Sequence, residues 1–256
     1  VPVLTPTACE GGSSLFKVDY FGDTVYLTQS WQLYSEALAA SLEKLYTIAP
    51  SFRAEKSRTP RHLTEYWHAE MEVIYCDLPQ LMKYGEELVS YVCQEVARKN
   101  TDELKELGQD PKELRKIKAP FPKITYKEAL DILAKNGMKV KYGKDLRTLE
   151  ERELMKHFER PVFVTNYPKE IMAFYKPEDP KNPGTALCFD LIVPEVGELI
   201  GGSVRDLDVD AMKKVLRDEG EDLSTYDWYF DTRKYGAVPH AGFGLGVERL
   251  VMWICG

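Results

Sequence analysis

The sequence lacks the features of membrane proteins, secreted proteins and metal scaffolds. No apolar run approaches the roughly 18 residues that a membrane-spanning helix needs, and the first residues carry neither the basic segment nor the apolar core of a secretion signal. The five cysteines are scattered and none belongs to a Cys-x-x-Cys pair, which disfavours zinc and disulfide scaffolds. We therefore expect reduced thiols, a cytoplasmic location and no membrane partner.

Common sequence signatures of catalysis are missing as well. The chain has no Gly-x-x-x-x-Gly-Lys-Ser/Thr phosphate loop, no Gly-x-Ser-x-Gly nucleophile elbow and no His-Glu-x-x-His zinc motif. Its four histidines have no metal-ligand spacing. Nucleotide chemistry in this chain would therefore depend on arginines, carboxylates and magnesium, a set that suits in-line attack on an α-phosphate.

Length and charge narrow the class further. The 256 residues carry a formal net charge of −7, which argues against a broad nucleic-acid-binding surface and leaves only a local basic patch open. Hydrophobic residues make up 44% and charged residues 29% of the chain, so one large soluble domain with a sizeable core is expected.

Hydrophobic periodicity predicts an α+β fold with an antiparallel sheet and flanking helices. Residues 31–45 have the spacing of an amphipathic helix whose apolar stripe includes Leu38 and Leu42. In residues 66–74 apolar and polar side chains alternate, so we expect an antiparallel strand with one face in the core and one polar face, which carries Glu70. Further helices are predicted at 78–98, 128–134 and 210–219, and further strands at 46–55, 162–164, 186–193 and 198–205.

Two segments carry more local predictions. Residues 99–120 are rich in charge, and we expect them to form a solvated and mobile excursion. Gly201-Gly202, inside the last predicted strand, indicates a β-bulge or the close approach of a ligand.

Three glycines alternate near the C-terminus, directly before a stretch in which apolar residues have helical spacing. Gly242, Gly244 and Gly246 would let the backbone approach a ligand closely, since no Cβ intervenes. Arg249 follows them, and its permanently charged guanidinium is suited to gripping a phosphate. A glycine-rich turn followed by a solvated arginine is the alternative.

Two pairs of carboxylates raise the question of what neutralises them. Glu70 and Glu72 lie two residues apart on a predicted strand, roughly 7 Å from each other, and repel unless cations or a bound ammonium group compensate them. They indicate either a solvated sheet face or a polar cleft for a zwitterionic substrate. Asp190 and Glu198 suit Mg²⁺ that carries nucleotide phosphates, although a salt bridge with Arg205 is equally compatible.

Several ordered motifs resemble those of one enzyme family. Residues 52–55 followed by 61–72 strongly resemble motif 2 of class II aminoacyl-tRNA synthetases, residues 242–249 resemble motif 3, and residues 1–4 resemble the end of motif 1. The sequence tags of class I synthetases are absent. Segments 9–16, 27–34, 190–198 and 201–205 are similar to the aspartyl/asparaginyl subgroup. The likeness covers the whole chain and implies the class II catalytic fold, with a central antiparallel sheet flanked by helices.

The resemblance also implies a role for each candidate site residue. Arg53 matches the arginine that bridges the α-phosphate and the substrate carboxylate, and Arg249 matches the one that holds the γ-phosphate. These two are the expected catalytic residues. The others belong to the ATP site (Glu55, Arg61, His62 and Tyr66, with Arg249), to the amino-acid site (Glu10, Gln32, Glu36, Glu70 and Arg205) and to the Mg²⁺ site (Asp190 and Glu198).

One position distinguishes the two substrates of the subgroup. Aspartyl enzymes usually carry a lysine three residues after Gln32, which pairs with the substrate carboxylate, but here Ser35 and then Glu36 follow. An aspartate side chain would meet Glu36, whereas an asparagine amide could donate to Glu36 and accept from Arg205. Residues 167–175 and 232–236 also look more like asparaginyl enzymes. The resemblance therefore implies ATP-dependent activation of asparagine and its transfer to tRNA(Asn).

Other functions of the same fold stay open at this stage. They are an aspartyl-tRNA synthetase and a ligase that forms free asparagine without tRNA, although residues 56–61 look like those of charging enzymes. A non-enzymatic paralogue is disfavoured because the arginines and acids are all present. We expect a catalytic-domain fragment over residues 1–256, without an anticodon-binding domain, from a protein that forms a homodimer through motif 1.

Overall fold

The computed structural model describes residues 2–7, 9, 15–56 and 62–256. Within these residues it has ten strands and nine α-helices. The strands are β1 (Leu4–Thr5), β2 (Lys17–Tyr20), β3 (Asp23–Leu27), β4 (Lys44–Phe52), β5 (Glu65–Ile74), β6 (Lys123–Thr125), β7 (Val162–Thr165), β8 (Cys188–Val193), β9 (Gly197–Val204) and β10 (His240–Gly246). The helices are α1 (Gln32–Leu42), α2 (Leu78–Lys99), α3 (Thr101–Glu106), α4 (Pro111–Leu114), α5 (Tyr126–Lys135), α6 (Thr148–Met155), α7 (Val209–Asp218), α8 (Asp227–Lys234) and α9 (Val247–Cys255).

The chain divides into two compact units. The first unit comprises Val1–Asp77, Ala173–Pro177 and Val204–Val247. It contains a small antiparallel sheet in the order β1-β3-β2 and a second antiparallel set in the order β4-β5-β10. Helices α7 and α8 close a core of aromatic and aliphatic side chains, whose fully or nearly fully buried members include Leu33, Phe174, Met212, Tyr226 and Tyr229.

The second unit comprises Leu78–Met172, Glu178–Ser203 and Glu248–Gly256. Its strands run in the order β9-β8-β7-β6, antiparallel except for the parallel pair β6–β7. Helices α5 and α6 pack on this sheet around a core that includes Tyr126, Leu133, Leu154, Val162 and Val164. Antiparallel sheets flanked by helices in both units confirm the predicted α+β class.

The helices and strands predicted from periodicity are present, with ends that differ by up to three residues. Helix α1 is shorter than the predicted 31–45, and β4 ends at Phe52 rather than at residue 55. Sequence periodicity locates such elements well because it depends only on which side chains recur on one face.

The apolar stripe predicted for α1 is largely exposed, and the apolar face of β5 is fully buried only at Val73. On α1 the apolar Leu38 is 48% exposed, whereas Glu36 is 5% exposed. On β5 Trp67 is 51% exposed, whereas Glu70 and Glu72 are 6% and 1% exposed. The polar faces can be buried because their side chains bond to one another, which removes the cost of taking polar groups out of water.

The segment 99–120, expected to be a solvated excursion, is folded. It forms α3 and α4, and both Leu104 and Ile117 are buried. The side chain of Gln94 on α2 donates to the backbone oxygen of Ile117 at 2.9 Å, and Arg115 donates to that of Ala97 at 3.0 Å. A charge-rich sequence concealed this packing because only a few of its residues face α2.

Candidate functional site

A buried carboxylate on α1 is the centre of a network of donors in the first unit. Oε2 of Glu36 accepts from the hydroxyl of Tyr229 at 2.8 Å, from Nε2 of His240 at 2.9 Å and from Nη2 of Arg233. Oε1 accepts from Nε2 of Gln32 at 3.0 Å. Four residues from two helices and one strand thus fix the orientation of this carboxylate.

A second ion pair lies beside the first. Arg205 donates from Nε to Oε2 of Glu72 at 3.2 Å and from Nη2 to Oε1 of the same carboxylate. Its Nε also lies 3.9 Å from Oε1 of Glu36, and its guanidinium lies 5.3 Å from the ring centroid of Tyr175. Arg205 therefore pairs with both buried carboxylates, Glu36 and Glu72.

The two carboxylates respond differently to the same surroundings. Burial raises the pKa of Glu36, but the nearby Arg233, His240 and Arg205 more than offset this effect and lower the pKa below its ordinary value. Burial raises the pKa of Glu72 to about 7, against the opposing charge of Arg205. Glu36 is consequently the permanently ionised acceptor of the pair at neutral pH.

Glu70, the third buried acid, is tied to the start of α1. Its Oε2 accepts from the backbone N–H of Trp31 at 2.8 Å, and its Oε1 accepts from the hydroxyl of Ser30. Nδ1 of His68 lies 3.4 Å from the same Oε1. The polar face of β5 is thus a bonded interior surface, and of the two alternatives the solvated sheet face does not hold.

The alternating glycines of β10 make room for these acids. Gly242 lies opposite Glu72 on β5, and Gly244 lies opposite Glu70. A Cβ at Gly242 would collide with the carboxylate of Glu72, and one at Gly244 would collide with the ring of His68. At these two positions the space freed by glycine is filled by side chains of the protein, which differs from the close ligand approach predicted from the sequence.

The motif 2 residues lie where β4 ends and β5 begins, at the connected end of this strand pair. The guanidinium of Arg53 lies 5.9 Å from the ring centroid of Tyr66, within the range of a cation–π contact. Glu55 is exposed and His62 is partly exposed. Arg61 and Glu10, two of the residues assigned from the sequence, lie outside the described part of the chain.

The predicted metal ligands lie together in the second unit, on the β8–β9 pair. Asp190 is opposite Gly201, and a Cβ placed at Gly201 would be 2.9 Å from Oε1 of Glu198 and 3.6 Å from Oδ1 of Asp190. A register shift between Leu191 and Ile192 allows this convergence, because it moves Glu198 to the side that Asp190 occupies. The ladder is regular at Gly201-Gly202, so the predicted bulge lies a few residues away from those glycines.

Arg249 also belongs to this second cluster. Its Nη1 donates to the backbone oxygen of Glu198 at 2.7 Å and to Oε2 of that residue at 3.1 Å. The alternative of a freely solvated arginine therefore does not hold. The cation of Arg249 on α9 and the carboxylate of Glu198 on β9 thus lie side by side. A guanidinium can bind phosphate oxygens and a carboxylate can bind their metal ion.

The donor set fits a magnesium ion that arrives with phosphates. Among the described residues no group of three or more His, Cys, Asp or Glu side chains is placed to hold a metal. Mg²⁺ usually keeps several waters and binds through one or two carboxylates plus substrate phosphates. Asp190 and Glu198 would supply those two carboxylates, and the phosphates and waters would complete the coordination.

Three members of the Glu36 network were not assigned from the sequence. Tyr229 and Arg233 lie on α8, four residues apart and therefore on one helix face, and His240 begins β10. The resemblance of residues 232–236 to asparaginyl enzymes was a signal for Arg233 alone. A contact between α8 and α1 spans about two hundred residues, so local patterns cannot reveal it.

Three features of the described residues agree with the class resembled in the sequence. They are the buried acidic network, the strand pair that carries motif 2, and the cluster of Arg249 with Glu198. The family model described as tRNA synthetases class II (D, K and N) matches residues 1–256, and the chain belongs to this family.

Individual relatives are more specific. The chain is 52% identical over 254 residues to the asparagine–tRNA ligase of Thermoplasma acidophilum, covering 99% of this chain and 59% of that protein. It superimposes with a TM-score of 0.96 at 50% identity on asparaginyl-tRNA synthetase from Pyrococcus horikoshii complexed with asparaginyl-adenylate, covering 99% of this chain and 59% of that one. The match to aspartyl-tRNA synthetase from Entamoeba histolytica is weaker, with a TM-score of 0.79 and 28% identity over 90% of this chain and 49% of that one.

These comparisons confirm the predicted family and the class II catalytic fold. The chain spans about 59% of the length of the Thermoplasma acidophilum and Pyrococcus horikoshii proteins. No helix in the described ranges has the length and apolar character needed to cross a membrane.

Proposed function

We propose that the protein activates asparagine with ATP to form asparaginyl-adenylate and then transfers the asparaginyl group to tRNA(Asn). The observation that carries this proposal is the ionised, buried Glu36 beside the guanidinium of Arg205. A carboxylate acceptor next to a guanidinium donor complements a carboxamide, which has an N–H donor beside a carbonyl oxygen. An aspartate side chain in the same place would bring a second negative charge against Glu36.

The activation step needs positioning and charge neutralisation more than a protein nucleophile. The carboxylate oxygen of asparagine attacks the α-phosphorus of ATP, the bond to the bridging oxygen breaks, and pyrophosphate leaves with the electron pair. We propose that Arg53 binds the α-phosphate and the substrate carboxylate, with the adenine held by Tyr66 and Glu55. Arg61 and His62 would contact the outer phosphates, and Glu10, Gln32 and Glu70 would surround the α-ammonium group. Such preorganised charges act where negative charge develops.

The phosphate-binding part of the proposal rests on the second unit. Asp190 and Glu198 would hold Mg²⁺ together with the phosphates, and Arg249 would hold the γ-phosphate. When bound, the ion neutralises phosphate charge and so favours departure of pyrophosphate. This placement is supported by the hydrogen bond of 3.1 Å from Nη1 of Arg249 to Oε2 of Glu198, which keeps the two side chains adjacent.

ATP–pyrophosphate exchange with each amino acid tests the proposal. We expect asparagine to support exchange, and tRNA(Asn) to become charged when it is added. Faster exchange with aspartate would instead indicate an aspartyl-tRNA synthetase. Formation of AMP and free asparagine from aspartate and ammonia, without tRNA, would indicate the asparagine-forming ligase.

We further propose that the protein is a cytoplasmic homodimer. The exposed apolar face of β4 and β5 supports this, because Ile48 and Trp67 are 56% and 51% exposed on strands of the first unit. By the strand register these two residues belong to the same face as Tyr46, which is 78% exposed. A contiguous apolar patch of this kind is typical of a protein–protein interface.

A further inference from the structure

The network around Glu36 points to an additional residue that sets specificity. Arg233 on α8 is buried, with a side chain only 2% exposed, and none of the roles assigned from the sequence uses it. It donates to Glu36 through Nη2, to the hydroxyl of Tyr229 at 2.6 Å and to the backbone oxygen of Asp206 at 3.2 Å. Its guanidinium also lies 4.0 Å from the ring centroid of Tyr229. The contacts with Glu36, Asp206 and Tyr229 together fix the orientation of the Arg233 guanidinium.

The contacts treat the two oxygens of Glu36 unequally. Oε2 accepts three hydrogen bonds, from Arg233, Tyr229 and His240, and is therefore saturated. Among the described residues Oε1 accepts only from Gln32, and it is the oxygen that lies 3.9 Å from Nε of Arg205. The oxygen with capacity for a further donor is thus the one beside Arg205.

We propose that Arg233 is a positioning residue for asparagine recognition, which holds Oε2 of Glu36 so that Oε1 faces the substrate amide. The proposal rests on the proposed function, since it assumes that Glu36 reads the side chain of asparagine. Arg233 itself does not touch the substrate. It acts by fixing the carboxylate plane and by keeping a counter-charge on the far oxygen, so that the near oxygen is an acceptor of defined direction.

Steady-state ATP–pyrophosphate exchange of Arg233→Ala, compared with Lys234→Ala, tests this. Lys234 is the next residue on α8, carries the same charge and is 67% exposed in its side chain, so it controls for loss of a cation from this helix. Truncating one partner of a buried charge pair is expected to raise the KM for asparagine by about 30-fold or more, with the KM for ATP within about 3-fold of wild type. Lys234→Ala is expected to change neither constant.

Chemical rescue separates positioning from general damage. Millimolar guanidinium ion should occupy the space left in Arg233→Ala and lower the KM for asparagine by at least about 5-fold, while Lys234→Ala should not respond. A purely structural defect would lower kcat without a selective rise in the KM for asparagine. Guanidinium ion would not restore the activity of such a variant.

Two milder variants keep the proposal testable if Arg233→Ala does not fold. Tyr229→Phe removes one donor to Oε2 and should raise the KM for asparagine about 10-fold, and Arg233→Lys keeps the charge but cannot bridge to Asp206 and should fall between wild type and alanine. Wild-type KM values for asparagine in both variants would overturn the proposal.

The same assay distinguishes this failure from failure of the proposed function. If Glu36→Gln raises the KM for asparagine but the Arg233 and Tyr229 variants do not, only the positioning role is lost. If Glu36→Gln has no effect, or the wild-type protein prefers another amino acid, the assignment of Glu36 itself fails.

Discussion

At the scale of single residues, the site depends on glycines that yield space to buried acids. Gly242 is the clearest case, because the carboxylate of Glu72 occupies the position that a Cβ would take. That carboxylate pairs with Arg205 through two donors. The absence of a side chain at Gly242 therefore leaves room for the Glu72–Arg205 pair.

We expect Gly242→Ala to impair both asparagine activation and stability. The added methyl group forces Glu72 away from Arg205, which should lower kcat/KM for asparagine by roughly 30-fold or more and cost about 1–3 kcal/mol of stability. Exchange kinetics and denaturant unfolding measure the two effects. Gly85→Ala on α2 is the matched control, since its Cβ would be 3.6 Å from Ile200 and should add about 0.5–1 kcal/mol of stability. Equal activities of the two variants would contradict the role of Gly242.

At the scale of elements, periodicity predicted where helices and strands lie but not which face they bury. The reason is visible in α1 and β5, whose apolar residues Leu38 and Trp67 are exposed while Glu36 and Glu70 are buried. A hydrophobicity pattern assigns polar residues to solvent, because burial of a charge is costly unless partners are supplied. For Glu36 those partners come from α8 and β10, and for Glu70 they come from Ser30 and Trp31. All except Gln32 lie far from the acid along the chain, so no local pattern contains them.

The candidate site shows the same division. Motif resemblance proposed Arg53, Asp190, Glu198 and Arg249 as site residues, and the structure brings the last three together. It assigned no role to Arg233, because the contact of Arg233 with Glu36 joins residues that are 197 positions apart. Resemblance transfers roles that depend on a motif, whereas a buried network is found only when side chains are placed in space.

Ordinary capping stabilises elements that have no part in the site, and α5 offers a test. The hydroxyl of Thr125 accepts from the backbone N–H of Glu128 at 3.2 Å, and the backbone N–H of Thr125 donates to Oε2 of that residue at 2.7 Å. We expect Thr125→Ala to cost about 1 kcal/mol in urea unfolding, with both KM values unchanged. The exposed Lys127→Ala on the same helix should lie within about 0.5 kcal/mol of wild type. A KM for asparagine that rises in Thr125→Ala would show that α5 is not independent of the site.

At the scale of the whole molecule, the exposed apolar face of β4 and β5 is the feature that the chain by itself leaves unexplained. Ile48, Trp67 and Tyr46 share that face, and large contiguous apolar patches are uncommon on monomeric proteins. A homodimer would cover it.

We therefore expect Ile48→Asp to dissociate the dimer. A carboxylate at the centre of an apolar contact leaves an uncompensated charge, which should shift the light-scattering mass at micromolar concentration from two chains to one. Tyr235→Ser is the control, because that tyrosine is 75% exposed directly after α8 and belongs to neither β4 nor β5. A wild-type protein that is already monomeric, or an Ile48→Asp variant that stays dimeric, would refute this use of the face.

We propose that the buried carboxylate of Glu36 makes the protein select an amide over an acid. The measurement that tests it most directly is the ratio of kcat/KM for asparagine to that for aspartate in ATP–pyrophosphate exchange, in the wild-type protein and in Glu36→Gln. An unpaired buried charge costs about 3–5 kcal/mol, so the wild-type ratio should be several hundredfold or more. In Glu36→Gln it should fall by at least about 10-fold, with the exposed Asp218→Asn as control. If the ratio is the same in both proteins, or favours aspartate in the wild type, Glu36 does not select asparagine over aspartate.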